Sequence, residues 1–281
     1  MTALGRFTAE SSRAPGGTQS VQRAAMLLRI IASHNRTGLR VVDLCELTGL
    51  RRPTVHRLLQ CLANEKLVTR NMRTRNYHLG QLLYELGVTA APAIKLEDLC
   101  RSDIRALAEV TGDMAFLTLR SGLDAVCIDR QEGSFPIRTY TLEVGTRRPL
   151  GVGAGSLAIL SALPGEQISE VVQQNRARLP AYNGLTAKEL LRLVRQTQNR
   201  GFVVHDGSVS GARAVGVALI DATGSPFAAL SVSAITARMQ QTRWAEIVKL
   251  MRHHAQVIQK SIEENRTGGS ANMTLARCAR S

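Results

Sequence analysis

A short stretch of the chain combines an apolar stripe with side chains that can hydrogen bond to DNA bases. In RRPTVHRLLQCLAN, residues 51–64, four apolar residues recur at helical spacing, so one face of a helix points inward. These residues are Val55, Leu58, Leu59 and Leu62. The opposite face carries Thr54, Arg57, Gln60 and Asn64, with His56 on its flank. Such side chains on the outer face of a helix can contact base edges in the major groove.

Two residues mark the ends of the helices that must position this face. Gly49 follows a short helical segment that starts at Val41, at a point where a helix needs a residue able to adopt a left-handed conformation. The second helix is predicted to begin at Arg52-Pro53, with Pro53 at the first helical position, where its missing N–H costs nothing. Two short helices around a glycine turn are typical of a helix-turn-helix, whose second helix lies in the DNA major groove.

A basic hairpin is predicted to follow the two helices. Residues 67–70 and 77–79 alternate as strands do, and the loop between them contains Arg73 and Arg75. Such a wing can place guanidinium groups on phosphates or in the minor groove. The predicted DNA-binding residues are Arg51, Arg52, Thr54, His56, Arg57, Gln60, Arg70, Arg73 and Arg75. The alternative interpretation is a helical hairpin whose arginines only keep one face soluble.

The charge of the chain is unevenly distributed. The formal net charge is +14, and the first 90 residues hold thirteen Lys and Arg against five Asp and Glu. This basic excess fits a polyanionic partner such as double-stranded DNA, and the affinity should fall with added salt. Aromatic residues make up only 4% of the chain, which argues against a single-strand binder built on stacked rings. The length of 281 residues favours two domains.

Cysteine usage and hydropathy argue against several classes of protein. The five cysteines are scattered, without a CxxC or Cys/His cluster at metal spacing, so neither a disulfide framework nor a zinc site is predicted. Cys45 and Cys61 are expected to be small core or groove residues. No apolar run approaches transmembrane length, and residues 1–20 lack a hydrophobic segment like that of a signal peptide. We therefore expect a cytoplasmic protein without a membrane partner and without a cofactor.

The sequence predicts a disordered arm over residues 1–19 and a winged domain over residues 20–80. Ser20 is the predicted N-cap of a first helix whose apolar stripe includes Val21, Leu27 and Ile31. Residues 81–95 are predicted to form a linker helix, whose leucines would be costly to expose. These leucines pack either on a partner subunit or on their own domain. A two-fold dimer would match inverted half-sites in DNA.

Residues 96–265 are predicted to form an α+β domain around a mainly antiparallel sheet, followed by a disordered tail over residues 266–281. Strands come in hairpins with helices between groups of them, which argues against a doubly wound fold. Strands are predicted over residues 115–120, 125–130, 137–142, 202–206, 214–220 and 227–233. Helices are predicted over residues 91–109, 153–163, 186–201 and 242–264.

A glycine-rich segment begins one of these helices. Gly151, Gly153, Ala154, Gly155 and Ser156 lie where free N–H groups and the positive end of the helix dipole favour an anionic group such as a carboxylate. Their small side chains would let a ligand come close to the backbone. The alternative is that these glycines only allow tight packing of the helix on the sheet.

Several segments together resemble the IclR-type transcriptional regulators. They are SVQRAAMLLRIIA, LCELTGLRRPTVHRLLQCLANEKLV and YHLG in the N-terminal part, and residues 144–164 and 201–234 in the second domain. The resemblance implies a winged helix-turn-helix joined by a linker helix to an effector domain with a GAF-like fold. It also implies dimers or dimers of dimers on operator DNA, and a small organic effector that modulates transcription.

The same resemblance assigns effector-binding residues by motif, namely Ala154, Gly155, Asp206, Ser231 and Ser233. Ser156, beside them, and Val215, at a position where relatives often carry cysteine, complete the predicted set. The chain departs from the usual motif at Gly151, at residues 156–158 and at residues 205–208, so the ligand of a relative is not carried over. The two serines could instead bond only to the backbone.

Two alternatives to a ligand-responsive regulator stay open from the sequence. One is an enzyme tethered to DNA, but Cys127 has no sequence neighbour that marks a general base, and His253-His254 lie in a helix predicted to pack. No nucleophile elbow, metal signature or nucleotide-binding loop is present, so no catalytic residue and no metal ligand is assigned. The other alternative is a structural DNA-binding protein that needs no effector.

Overall fold

The computed structural model describes residues 18–35, 37–90, 96–206 and 211–278, and the chain divides into two compact units, Met1–Pro92 and Ala93–Ser281. The first unit contains α1 (Gln19–Ser33), α2 (Val41–Thr48), α3 (Arg52–Asn64), β1 (Val68–Arg70), β2 (Tyr77–Leu79) and α4 (Gln81–Ala90). Strands β1 and β2 pair antiparallel. The winged helix-turn-helix architecture is therefore confirmed. Residues 1–17 of the predicted arm and 91–95 of the predicted linker helix lie outside the described residues.

The helices of the first unit enclose a small apolar core. Leu27, Leu44, Val55 and Leu59 are fully buried in it, and Leu58 is half-buried. Burying a side chain of this size contributes about 1.5–3 kcal/mol. The apolar stripe predicted from spacing is therefore the face that fixes α3 against α1 and α2.

Two details of the first unit differ from the predictions. The N-cap of α1 is Thr18 instead of Ser20, and Val21 is 70% exposed because the first turn of α1 extends beyond the core. Pro53 occupies the second position of α3, since Arg51 is the N-cap and Arg52 begins the helix. Proline is tolerated at this position too, because the first N–H groups of a helix have no intrahelical acceptor.

The second unit is built on a six-stranded sheet with the order β5-β4-β3-β8-β7-β6. Its elements are α5 (Leu96–Thr111), β3 (Met114–Ser121), β4 (Asp124–Gln131), β5 (Arg147–Pro149), α6 (Ala154–Ser161), α7 (Gly165–Asn175), a 3-10 turn (Leu179–Ala181), α8 (Ala187–Arg200), β6 (Val203–Asp206), β7 (Ala212–Ile220), β8 (Pro226–Ile235) and α9 (Gln241–Cys278). The neighbouring strands among these pair antiparallel. This confirms the predicted α+β class with a mainly antiparallel sheet.

The sheet carries an apolar core on each of its two faces. On one face, which we call the α5/α9 face, Leu107 of α5, Val232 of β8 and Met251 of α9 belong to one core. On the other, which we call the α6 face, Leu157 of α6 and Leu190 of α8 pack with sheet residues in a second core. Alternate residues of a strand point to opposite faces, so each central strand contributes to both cores.

The predicted strand over residues 137–142 is wrong, because the strand that pairs with β4 is β5. Residues 137–142 instead form a loop in which Ile137 is 57% exposed, while the buried Thr139 hydroxyl lies 2.9 Å from the Ser233 hydroxyl. The alternation of polar and apolar residues in this segment therefore belongs to a loop with one buried side chain, Thr139, and does not correspond to strand pairing. Helix α7 is absent from the sequence-based prediction, although Pro164 stands at its N-cap, where proline does not interrupt a helix.

Helix α9 continues to Cys278, whereas the sequence predicts disorder from Arg266. The helix can extend beyond Arg266 because adding residues to an existing helix requires no new nucleation. Residues 279–281 of the predicted tail lie outside the described residues. Long as α9 is, no helix within the described parts of the chain has both the length and the apolar character needed to cross a bilayer.

Candidate DNA-binding surface and effector site

Local hydrogen bonds hold the turn between α2 and α3. Gly49 adopts a φ of 68°, which glycine reaches without strain, and its N–H donates to the Cys45 carbonyl at 2.9 Å. The buried Thr48 hydroxyl donates to the Leu44 carbonyl at 2.6 Å and accepts the Leu50 N–H at 3.2 Å. The backbone of this turn therefore sets the orientation of α3 relative to α2.

The outer surface of α3 is open to solvent in the first unit. The exposed residues include the predicted contacts Arg51, Arg52, His56, Arg57 and Gln60, and Thr54 is half-buried. The fully buried Val55 and Leu59 lie on the opposite side of the helix. The structure thus presents the predicted base-contacting and phosphate-contacting side chains of α3 together on one side of the helix.

The loop of the wing is ordered by one asparagine. Asn71 Oδ1 accepts the N–H of Arg73 at 2.9 Å and that of Thr74 at 3.1 Å, and the Asn71 carbonyl accepts the Arg75 N–H at 2.8 Å. Arg75 adopts a left-handed φ of 60°, which completes the turn. The side chains of Arg70, Arg73 and Arg75 are all exposed. Three predicted contacts therefore lie on a preformed hairpin, which reduces the ordering cost of binding a ligand.

Further contacts join this hairpin to the segment after α1. The Leu79 N–H donates to Asn35 Oδ1 at 2.7 Å, and His78 Nδ1 lies 2.8 Å from the Asn35 carbonyl oxygen. Leu39 and Tyr77 form an isolated antiparallel bridge. These contacts fix the wing relative to the helices of its own unit.

Helix α4 exposes apolar side chains. Tyr84, Leu86 and Val88 are 75%, 51% and 50% exposed, whereas Leu82 and Leu83 are half-buried. Exposed apolar patches of this kind are typical of surfaces that contact another molecule. Among the described residues, α4 therefore carries an uncovered apolar surface.

Helix α6 is buried along its whole length, and its first turn lies against the sheet. A Cβ at Gly155 would lie 2.8 Å from Thr118 Oγ1, and one at Gly216 would lie 2.8 Å from the Ala154 carbonyl oxygen. The glycines thus allow close packing of helix on sheet, which was the alternative left open by the sequence. This close approach also places the first N–H groups of α6 beside side chains of β3 and β8.

Ser156 holds the turn that precedes α6. Its hydroxyl accepts the Gly151 N–H at 2.8 Å and donates to the Pro149 carbonyl at 3.4 Å. The residue is 4% exposed, so the hydroxyl is engaged in the turn. Ser156 therefore positions the N-terminus of α6, and its predicted contact with an effector is not supported by this geometry.

Both predicted serines of β8 lie on the α6 face. Ser231 pairs with Gly216, and its Oγ is 3.4 Å from the Cβ position of Gly155. Ser233 Oγ is 2.9 Å from Thr139 Oγ1, so its partner is a side chain and not the backbone. The structure therefore brings Ala154, Gly155, Ser231 and Ser233 to one side of the sheet.

Val215 does not join this group, which corrects its placement from the sequence. Val215 is fully buried in the core of the α5/α9 face, because adjacent residues of β7 point to opposite faces and Gly216 faces α6. Asp206 forms an ion pair with Arg213 at 2.5 Å, and a hydrogen bond from that guanidinium lowers the pKa of Asp206. The same guanidinium lies 5.7 Å from the Trp244 ring of α9, and Asp206 lines a cavity together with Gly151 and Gly153.

Three polar residues that the sequence analysis did not single out lie on the α6 side of the sheet. Arg148 Nη1 is 3.9 Å from the Cβ position of Gly153, and Nη2 donates to the Thr141 carbonyl at 2.9 Å. Burial lowers the pKa of Arg148. Burial is also the main cause that lowers the pKa of His205, the Asp206 charge opposes this shift, and the Arg148 charge adds to it. Thr118 Oγ1 is buried and has no hydrogen-bond partner among the described residues. The sequence signal that could have identified Arg148 is the TRRPL string. Its two arginines are adjacent in a strand, so only one of them can face α6.

The buried cysteines are not activated as nucleophiles. Burial raises the pKa of Cys100 and of Cys127 to about 12, whereas a reactive thiol requires the opposite shift. Cys61, predicted as a small core or groove residue, is exposed. No group of three potential metal ligands occurs in the part of the chain that the structure describes. A catalytic role for Cys127 therefore has no support in its surroundings.

Comparison with known proteins agrees with this architecture. The family model described as the IclR helix-turn-helix domain matches residues 20–71, and the model described as bacterial transcriptional regulator IclR C-terminal matches residues 89–260. The HTH-type transcriptional regulator XynR of Escherichia coli is 25% identical over 229 residues, which cover 81% of this chain and 90% of that protein.

Solved structures share the fold. The crystal structure of an IclR-type transcriptional regulator from Alicyclobacillus acidocaldarius aligns with a TM-score of 0.69 at 23% identity, over 86% of this chain and 97% of that one. An IclR homolog from Microbacterium hydrocarbonoxydans, complexed with 4-hydroxybenzoate, aligns with a TM-score of 0.67 at 18% identity, over 87% and 99% of the two chains. Because the two family models together span most of the sequence, the chain belongs to the IclR family of DNA-binding transcriptional regulators, which are not enzymes.

Proposed function

We propose that this chain binds operator DNA as a homodimer or a dimer of dimers, and that a small organic carboxylate modulates this binding. The observation that carries the proposal is that one chain combines two features. Helix α3 exposes basic side chains to solvent, and the N-terminus of α6 is buried beside polar side chains. An effector changes DNA affinity only by its difference in affinity between two states of the protein. We place the regulator in the cytoplasm because its proposed partner is DNA.

In the proposed complex, α3 lies in the major groove of double-stranded DNA. Thr54, Arg57 and Gln60 contact base edges, with His56 at the flank. The arginines at the start of α3 and on the wing contact phosphates, which set the register of the protein on the duplex. The exposure of these side chains and the ordered wing loop support this arrangement.

The proposed effector site lies between the first turn of α6 and the sheet. The N–H groups at Ala154 and Gly155 carry the positive end of the helix dipole, which favours a carboxylate. The hydroxyls of Thr118 and Ser231 lie beside Gly155 and can donate to the ligand. The 4-hydroxybenzoate bound by the Microbacterium homolog is itself a carboxylate, which supports this class of ligand.

The exposed apolar surface of α4 supports assembly with a second copy of the chain. A two-fold dimer presents two α3 helices to the inverted half-sites of an operator. Leu86→Glu places a charge in this surface and is expected to lower the molar mass in solution, measured by light scattering after size-exclusion chromatography. Val110→Glu, at a 71% exposed position of α5, is the matched control. An unchanged mass for Leu86→Glu contradicts assembly through α4.

Genome-wide mapping of the sites bound by the protein tests the proposal as a whole. We expect the bound sites to share an inverted motif, and the genes beside them to suggest the carboxylate. Adding that carboxylate should then change operator affinity by roughly 5- to 150-fold, the usual range of allosteric coupling. Bound sites without a common motif, together with an affinity that no carboxylate changes, would favour an effector-independent structural role.

A further inference from the structure

We propose that the second unit contains a further ligand site, separate from the proposed effector site, for a small hydroxylated aromatic acid. The site is a cavity of about 490 Å³ at the edge of the sheet, between α6, α8 and α9. Cavities of this size are typical of small-molecule sites. The residues that line it include none of Ala154, Gly155, Ser231 and Ser233. A ligand in this cavity would therefore be additional to the effector proposed at the start of α6.

The cavity exists because β6 is shorter than β7. Strand β6 pairs with β7 only as far as Gly216, whereas β7 continues to Ile220. Val217 packs in the core of the α5/α9 face and Ala218 packs against the core of the α6 face, so both faces of the sheet border the cavity. The side-chain N–H of Gln259 donates to the Ile220 carbonyl at this edge. This bond occupies a backbone acceptor that an added strand would need, so the edge suits a small ligand better than a strand.

Arg252 of α9 gives the cavity a positive charge. Among the described residues that line the cavity, Arg252 alone is charged. Its Nη2 donates to the carbonyl of Gly201, the C-cap of α8, at 3.1 Å, and it forms no ion pair with a described residue. The negative end of the α8 dipole offsets part of the charge. One hydrogen bond leaves most donors of a guanidinium available, so a carboxylate in the cavity can accept from Arg252.

A buried hydroxyl is a second observation that points to a ligand. Ser161, the last residue of α6, lines the cavity and is 7% exposed, and its Oγ has no hydrogen-bond partner among the described residues. The Ser161 carbonyl accepts from the Gln198 side chain at 3.1 Å, so the backbone acceptor is satisfied and the hydroxyl is not. Buried hydroxyls are normally hydrogen-bonded, and one that is not indicates a missing partner. A hydroxyl group of the ligand would supply that partner.

The walls of the cavity suit a flat apolar ring. Four alanines and one aromatic ring form much of the lining, namely Ala158, Ala162, Ala218, Ala255 and Phe202. Short alanine side chains leave room for a ring, and an aromatic side chain offers a stacked or edge-to-face contact. An aromatic acid with a hydroxyl group therefore matches the cation, the apolar walls and the unpaired serine hydroxyl.

Methyl NMR of the full-length protein with labelled alanine, titrated with 3-hydroxybenzoate, tests this site. The methyl signals of Ala162, Ala218 and Ala255 should shift because these residues line the cavity, whereas Ala154 reports on the proposed effector site. Arg252→Gln should weaken binding in the cavity roughly 3- to 10-fold, as expected for a charge-assisted contact at an exposed residue. Arg195→Gln removes an equal charge from an exposed position of α8 and should bind as wild type.

Two related probes separate the role of the charge from that of the hydroxyl. The neutral 3-hydroxybenzamide should bind wild type roughly 3- to 10-fold more weakly than the acid, and Arg252→Gln should not distinguish the two. Benzoate, which lacks the hydroxyl, should bind wild type roughly 2- to 10-fold more weakly than 3-hydroxybenzoate. Ser161→Ala should remove this second difference and leave the binding of benzoate unchanged.

Each other outcome overturns part of the proposal. Shifts at Ala154 without shifts at the alanines of the cavity reject the second site and leave the proposed effector site in place. The absence of shifts at every alanine methyl rejects the second site too. Undiminished binding to Arg252→Gln, or equal binding of acid and amide to wild type, rejects recognition by Arg252. Should Arg252→Gln fail to fold, the comparison of acid with amide on wild type decides.

Discussion

Replacing the arginines of the wing is expected to weaken binding on every DNA sequence, whereas replacing Arg57 is expected to change which sequence is preferred. Arg73 and Arg75 are exposed on a loop whose turn Asn71 holds in place, so their guanidinium groups can reach phosphates without ordering the loop first. Arg57 is exposed on the outer surface of α3, where a bidentate contact with a base edge is possible. The two kinds of contact differ in their dependence on salt.

The magnitudes follow from counterion release. Each phosphate contact contributes a slope of about 0.9 to the dependence of log affinity on log salt, which at physiological salt amounts to roughly a fivefold gain in affinity. The double variant Arg73→Ala, Arg75→Ala should therefore lower the slope by about 1.8 and weaken binding roughly 30-fold on operator and random duplex alike. Arg57→Ala should weaken operator binding by roughly 5- to 150-fold while changing the affinity for random duplex much less.

Fluorescence anisotropy with an operator duplex and a scrambled duplex, over a series of about 50 to 300 mM salt, measures both quantities. Arg195→Ala, at an exposed position of the second unit, is the control for a loss of charge alone. A salt slope that the wing variant leaves unchanged refutes the phosphate role of the wing. Equal losses on the two duplexes for Arg57→Ala refute its role in reading bases.

Three further predictions concern the second unit. Asp113 is 4% exposed and pairs with Arg238 at 3.1 Å and Arg243 at 2.6 Å. Asp113→Ala should therefore cost about 3–5 kcal/mol of stability in denaturant unfolding, and the exposed Asp98→Ala, which breaks only a surface pair with Arg101, should cost less than about 1 kcal/mol. Gly216→Ala would place a Cβ 2.8 Å from the Ala154 carbonyl oxygen, so it should weaken carboxylate binding in a calorimetric titration, while Gly165→Ala, with open space around it, should not. Burial lowers the pKa of His205 from its ordinary value of 6.5, so the unfolded chain binds a proton that the folded chain does not, and stability should fall as pH drops below 6.5. His205→Gln should flatten this dependence in denaturant midpoints measured across pH, and a dependence as steep as in wild type would contradict the role of His205.

Local patterns were sufficient to predict the DNA-binding unit. The left-handed Gly49, the apolar stripe through Val55 and Leu59 and the arginine-containing hairpin each depend on residues close together in the chain. The same holds for the N-cap at Thr186, where the side chain accepts the Glu189 N–H. In all these cases the partner of each residue lies within a few positions, so spacing alone identifies it.

The effector site depends on contacts between distant parts of the chain, and there the sequence predicted less. Ser231 and Val215 were assigned to one site, but the register of β7 against β8 places them on opposite faces. Arg148 was not singled out because its position beside Gly153 follows only from the pairing of β5 with β4. The sequence by itself determined most of the helices and strands, the basic outer face of α3 and the glycine-rich start of α6, since these follow from local chemistry. Tertiary structure decided which face each strand residue occupies, because strand register is a long-range property that shifts every side chain at once.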